Sequence, residues 1–150
     1  MPQSLVKNYM HITYSTKDRY PFINEFIRDE LFSYLGGICK NLECYPIIVG
    51  GHMDHIHILC LLSRKVALMN LIEELKTHSS KWIKAKGHDY EKFYWQRGYG
   101  GFSVNYLQTD IVKQYITNQV NHHKNISFKE EYISFLVENE IDYDERYVWD

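Results

Sequence analysis

Gly50-Gly51-His52-Met53-Asp54-His55-Ile56-His57-Ile58-Leu59-Cys60-Leu61-Leu62 is the stretch whose reading decides the fold. From His55 onward it is an apolar run of strand length. The glycine-bearing Gly50 to Asp54 before it reads as a tight reversal out of an earlier strand, Tyr45 to Val49. Side chains alternate along a strand, so His55, His57, Leu59 and Leu61 share one face, while Ile56, Ile58, Cys60 and Leu62 share the other and belong in the core. Residues two apart on one strand face stand roughly 7 Å apart at the backbone. Two imidazoles so placed can converge on one divalent ion, and Asp54 is positioned to orient one of them through its outer nitrogen.

Working outward, Val6 to Ser15 is β-branched and aromatic and predicts a first strand. From Asn24, Ile27, Leu31, Tyr34, Leu35 and Ile38 recur at helical spacing, although Gly36-Gly37 weakens the last turns. A second helix carries an apolar stripe of Leu68, Leu71, Ile72, Leu75, Trp82 and Ile83, with Lys76, Lys81 and Lys84 largely off it. Tyr94 to Asn105 predicts a short strand or ordered loop, and Thr109 to His123 a third helix. The order β-α-β-β-α-β plus one helix implies an α+β, ferredoxin-like antiparallel sheet with helices on one face and an added C-terminal helix that bears Tyr115. The other face of the sheet is then left for a site. No repeat or linker divides the chain, so residues 1–124 are expected to form one domain, with residues 125–150 as an acidic tail packed on or near it.

The chain has 150 residues, 45% of them hydrophobic and 15% aromatic, which supplies one core and excludes a disordered chain. No apolar run approaches a membrane span, and Met1-Pro2-Gln3-Ser4-Leu5 lacks an export pattern, so a cytoplasmic protein without a membrane partner is expected. Cys39, Cys44 and Cys60 are odd in number and show no C-x-x-C spacing; they read as small buried hydrophobes. The net charge of −2 hides an asymmetry. Residues 1–124 hold 15 Lys plus Arg against 11 Asp plus Glu, whereas residues 125–150 hold 2 against 8. A basic body with an acidic tail is compatible with a phosphate-bearing partner, although charge alone equally describes a solvated helix face.

On the third helix Val112, Tyr115, Ile116 and Gln119 form one stripe. A buried amide needs a partner, so Gln119 either faces solvent or meets a ligand, and an ion held by His55 and His57 would supply one. Asn118, His122 and His123 are further potential ligands nearby, and helix geometry alone leaves His122 open as an alternative. Tyr106 precedes the helix and is a weaker nucleophile candidate than Tyr115.

These residues resemble the single-tyrosine HUH transposases of insertion sequences that move as single-stranded DNA, and in particular their REP-associated tyrosine transposase (RAYT) branch. His55-Ile56-His57 is similar to the family's His-hydrophobe-His motif. Tyr115-Ile116-Thr117-Asn118-Gln119 resembles its Tyr-x-x-x-Gln helix, Phe93 to Val104 the segment before that helix, and Tyr143 to Tyr147 the RAYT-like tail. The resemblance implies Tyr115 as catalytic nucleophile and His55, His57 and Gln119 as ligands of Mg²⁺ or Mn²⁺. It also implies hairpin-bearing single-stranded DNA as partner, cleaved and rejoined through a 5′-phosphotyrosine. Family dimers that swap the tyrosine helix make a homodimer a further expectation.

Single strands are held by cations and aromatic platforms, which makes Lys81, Lys84, Tyr94, Trp95, Arg97 and Tyr99 candidate DNA contacts. The acidic tail would compete with DNA if it lay across the basic site. A histidine-triad hydrolase is disfavoured by Leu59 at the third position of that motif, and a two-histidine phosphoesterase by the single His11-Ile12-Thr13. The remaining alternative is a domesticated, non-cleaving DNA-binding protein of the same fold.

Overall fold

The computed structural model describes residues 2–123 and 125–150. Residue 124, the expected domain boundary, and Met1 lie outside the described residues. Four strands, β1 (Tyr9–Ser15), β2 (Tyr45–His52), β3 (His55–Leu61) and β4 (Gly100–Val104), form one antiparallel sheet in the order β2-β3-β1-β4. With α1 (Arg28–Asn41) between β1 and β2, and α2 (Leu68–Lys84) between β3 and β4, this is the ferredoxin-like arrangement that the sequence predicts.

The helices divide between the two faces. Leu31, Leu35 and Ile38 of α1 and Leu71, Ile72, Leu75 and Ile83 of α2 join Ile12, Tyr14, Ile56, Ile58 and Cys60 in the main core. The three cysteines are buried and free. The opposite face presents His11, Thr13, His55, His57 and Phe102, and it is covered rather than open. Over it lie α3 (Thr109–Thr117), α4 (Gln119–His122) and α5 (Phe128–Glu138). Among the described residues no helix is long and apolar enough to cross a membrane.

Three expectations change in detail. The reversal between β2 and β3 is the two-residue turn Met53-Asp54, and Gly50 and Gly51 lie inside the strand. Gly50 serves close packing instead: a Cβ there would stand 2.7 Å from Ile116 Cγ2 and 3.1 Å from the Ile116 carbonyl oxygen, so the tyrosine helix rests directly on β2. The single helix expected over Thr109 to His123 breaks at Asn118 (φ −90°, ψ 16°), which separates Tyr115 on α3 from Gln119 on α4. The acidic tail contains a true helix, started by an N-cap in which the Ser127 side chain accepts from the Glu130 amide at 3.2 Å. Phe128, Tyr132 and Leu136 of α5 bury against Phe102 of β4 in a second apolar cluster.

Candidate active site

Strand alternation brings His55 and His57 to one face with ring centroids 5.1 Å apart, and both are fully buried. Each imidazole is held through its outer nitrogen. His55 Nδ1 lies 2.7 Å from Asp54 Oδ1, and His57 Nδ1 lies 2.8 Å from His11 Nε2 on the neighbouring β1. The inner Nε2 atoms face the covering helices. His55 Nε2 stands 2.9 Å from Gln119 Oε1, and His57 Nε2 stands 2.8 Å from Glu131 Oε1.

Glu131 is the residue that the sequence reading missed. It sits on α5, 2% exposed, in the middle of the site. Its carboxylate meets His57 at 2.8 Å, His123 at 3.1 Å and His122 at 3.2 Å, and accepts from Gln119 Nε2 at 3.2 Å. It also accepts a short hydrogen bond from the Tyr115 hydroxyl. His123 Nε2 is in turn 2.9 Å from Gln119 Oε1. One ligand atom each from His55, His57, His123 and Glu131 fit within 4.8 Å of one another, and Gln119 Oε1 borders the same space. His122 stands on the tyrosine's side, with Nε2 3.2 Å from the Tyr115 hydroxyl. The Tyr115 hydroxyl opens onto a cleft of about 380 Å³ lined by His11, Val112, His122, Glu131 and Phe135.

Electrostatics follow from this burial. Desolvation lowers the pKa of His57 to about 4, against the opposing pull of Glu131. Desolvation, with His57 adding to it, lowers that of His11 to about 3. Burial alone would raise the Glu131 carboxyl, but hydrogen bonds from His123 and His57 outweigh it and hold the group well below the usual carboxylate range. The Tyr115 phenol is raised by burial and then by the adjacent Glu131 charge, so in this arrangement it is a protonated donor.

The expected DNA contacts scatter. Lys81 and Arg97 are exposed, and Lys84 Nζ lies 3.9 Å from the centroid of the exposed Tyr94 ring, with Lys17 Nζ on the same ring at 5.9 Å. Tyr99 is half-buried against the main core. Trp95 is a correction: it is 8% exposed, packs edge-on against Tyr14 and Phe93, and donates from Nε1 to Ser79 Oγ at 2.9 Å, so it serves the core. Half-buried Lys76 donates to the carbonyls of Gln96, Arg97 and Gly98 at 2.7 to 3.0 Å and fixes the segment from which Arg97 projects. Tyr106, exposed and tilted against Tyr9 at 6.1 Å between ring centroids, lies outside the histidine cluster.

A half-buried tyrosine beside paired strand histidines is the geometry against which comparison with known proteins becomes informative. A family model described as "Transposase IS200 like" matches residues 4–119. The chain belongs to the IS200-like transposase family. The matched span takes in β1 through Gln119, hence His11, His55, His57 and Tyr115, and stops before His122, His123 and Glu131. No match was found among curated proteins. Two solved structures share the fold of this transposase-family chain. One, described as a transposase of Deinococcus radiodurans R1, has a TM-score of 0.62 at 20% identity, covering 79% of this chain and 98% of that one. The other, a REP-associated tyrosine transposase solved bound to a REP hairpin, has a TM-score of 0.61 at 12% identity, covering 84% of this chain and 74% of that one.

Proposed function

We propose that this chain is a single-strand DNA transesterase of the RAYT-like branch, with Tyr115 as nucleophile and a divalent ion held at His55 and His57. The observation that carries the reading is the meeting, within one chain, of the Tyr115 hydroxyl and the histidine cluster through the shared Glu131 carboxylate.

The donor set fits a divalent ion. Imidazole nitrogens, a carboxylate and an amide oxygen converge within coordination reach, and such a mixture suits Mn²⁺ better than the oxygen-seeking Mg²⁺. His55 and His57 are the core of the proposed centre, Gln119 completes it as the resemblance implies, and His123 and Glu131 add to it by position. An ion held by these residues would supply Lewis-acid charge that draws electron density from the oxygens of a scissile phosphate and eases the approach of an anionic nucleophile.

The chain's own groups supply the rest. Tyr115 gives up its hydroxyl proton, for which the Glu131 carboxylate is the nearest acceptor. The phenolate oxygen bonds to phosphorus as the bond from phosphorus to the 3′-oxygen breaks. The departing oxygen takes a proton and becomes a 3′-hydroxyl, while the 5′-phosphate stays on Tyr115. Attack by another 3′-hydroxyl reverses the step and joins strands. The proposed partner is hairpin-bearing single-stranded DNA, supported by family membership and by the exposed Lys81, Tyr94 and Arg97 with the half-buried Lys84 beside them.

Covalent trapping tests the reading. Labelled single-stranded hairpins from the chain's own flanking genome, incubated with Mg²⁺, Mn²⁺ or EDTA, should give a metal-dependent adduct on a denaturing gel that Tyr115→Phe lacks. Binding without an adduct would favour the non-cleaving DNA-binding alternative, and an adduct formed by the Phe variant would remove Tyr115 from the mechanism.

A further inference from the structure

His11, an imidazole of the site face, has no place among the converging ligand atoms, yet it is 3% exposed and 2.8 Å from His57. It enters from β1, where it pairs in register with Leu59, while Thr13 pairs with His57. Its ring is boxed by aromatic edges: Phe135 at 5.1 Å, Phe102 at 6.2 Å and Tyr115 at 6.4 Å between centroids. A ring so enclosed has little freedom to turn away, and a hydrogen bond in such a dry setting is stronger than one in water.

Resting on the metal reading above, we propose that His11 is the positioning residue of His57, the counterpart on β1 of what Asp54 is to His55. A neutral imidazole has one N–H and one lone pair. For His57 to give its Nε2 lone pair to an ion, its proton must sit on Nδ1, and the partner that must then accept that proton's hydrogen bond is His11 Nε2. Asp54 does the same for His55, accepting at 2.7 Å from the outer Nδ1 so that Nε2 is free to face inward. The two outer partners come from opposite sides, a turn carboxylate at one end and a strand imidazole at the other. Together they aim both Nε2 atoms at the space bordered by Gln119 and Glu131. The His11-Ile12-Thr13 triplet thereby acquires a role at the sheet face. Thr13 Oγ1 donates to the Ile56 carbonyl at 2.8 Å, fastening the same pair of strands one step further along.

Two measurements on the full chain test the assignment. Co²⁺ titration, followed by visible absorption, compares the native chain with His11→Gln, whose amide oxygen can still accept, and His11→Phe, which fills the volume but cannot. The expected result is a loss of about 10- to 100-fold in Co²⁺ affinity for H11F, with H11Q substantially restored. The second measurement needs no substitution: in the Zn²⁺-loaded native chain, ring ¹⁵N chemical shifts should show His57 protonated at Nδ1 and ligated through Nε2. An H11F chain that binds Co²⁺ as the native one does, or His57 ligated through Nδ1, would overturn the role of His11 and leave the metal centre standing. A native chain that binds neither ion would overturn both.

Discussion

At the level of single residues, Glu131 concentrates more of the site than any group the sequence singled out. One carboxylate serves three histidines, an amide and a phenol, so its charge holds the cluster together. Replacing it by Gln keeps the volume and removes the charge. We expect Glu131→Gln to weaken Mn²⁺ binding by about tenfold or more while the chain stays folded, as measured by calorimetric titration and by melting. Unchanged Mn²⁺ affinity would place Glu131 outside the ion's reach. Tyr115→Phe is the complementary change. It removes one of several donors to Glu131, so its melting should stay within about 1 kcal/mol of the parent while adduct formation disappears. A Phe variant that unfolds would make that hydroxyl a structural group first.

At the level of elements, the fit between α3 and β2 depends on Gly50, where an added methyl would run into Ile116. Gly50→Ala should cost about 1–3 kcal/mol, read by chemical denaturation, because the nearest obstacle includes backbone. A neutral result would mean that α3 slides freely on the sheet. Helix α5 is held by Phe128, Tyr132 and Leu136 against Phe102, none of which is a proposed ligand. Truncating Leu136 to Ala should cost about 2–4 kcal/mol, and because the same helix carries Glu131, Mn²⁺ affinity should fall with it. Affinity that survives the loss of packing would separate the tail from the centre. Removal of residues after Asn125, which charge alone expects to leave a folded chain with higher DNA affinity, instead uncovers this apolar cluster and takes Glu131 away.

Across the whole molecule, the buried histidines make acid the weak direction of the metal-free protein. His11 and His57 titrate at about 3 and about 4 in the fold, against an ordinary value of 6.5, so below pH 6.5 the unfolded chain takes up protons that the folded chain refuses. Stability should therefore fall as pH drops from about 6.5 towards 4, and the lowered Glu131 carboxyl extends the loss further down. Melting in EDTA across this range checks it, and a flat profile would mean that the two rings accept protons inside the fold. The uneven charge has a second consequence. Asp150 and Trp149 come back onto the Gln96 to Gly98 segment, where Gly98 N donates to the Asp150 carbonyl at 2.8 Å and Arg19 to the Trp149 carbonyl at 3.0 Å. The negative end of the chain thus lies beside Lys17 and Arg97 rather than trailing in solvent.

Periodicity alone was enough to determine the paired strands around the Gly50 to Asp54 reversal, the two core helices and the face on which His55 and His57 stand, because alternation of two and recurrence of 3.6 are properties of neighbours along the chain. Gln119 announced itself as an amide on an apolar stripe. Glu131 carries the same anomaly, an acid among Phe128, Tyr132 and Phe135 at helical spacing after the Ser127-x-x-Glu130 start signal. The eight acids of residues 125–150 hide it, because together they read as an acidic tail and single out no one carboxylate. The partnership of His11 with His57, 46 positions apart, and of Tyr115 with Glu131, 16 apart, was settled only by tertiary structure. Which strand neighbours which, and which helix closes over them, depends on packing between distant segments, and no local spacing encodes the direction in which a side chain meets a partner from another element.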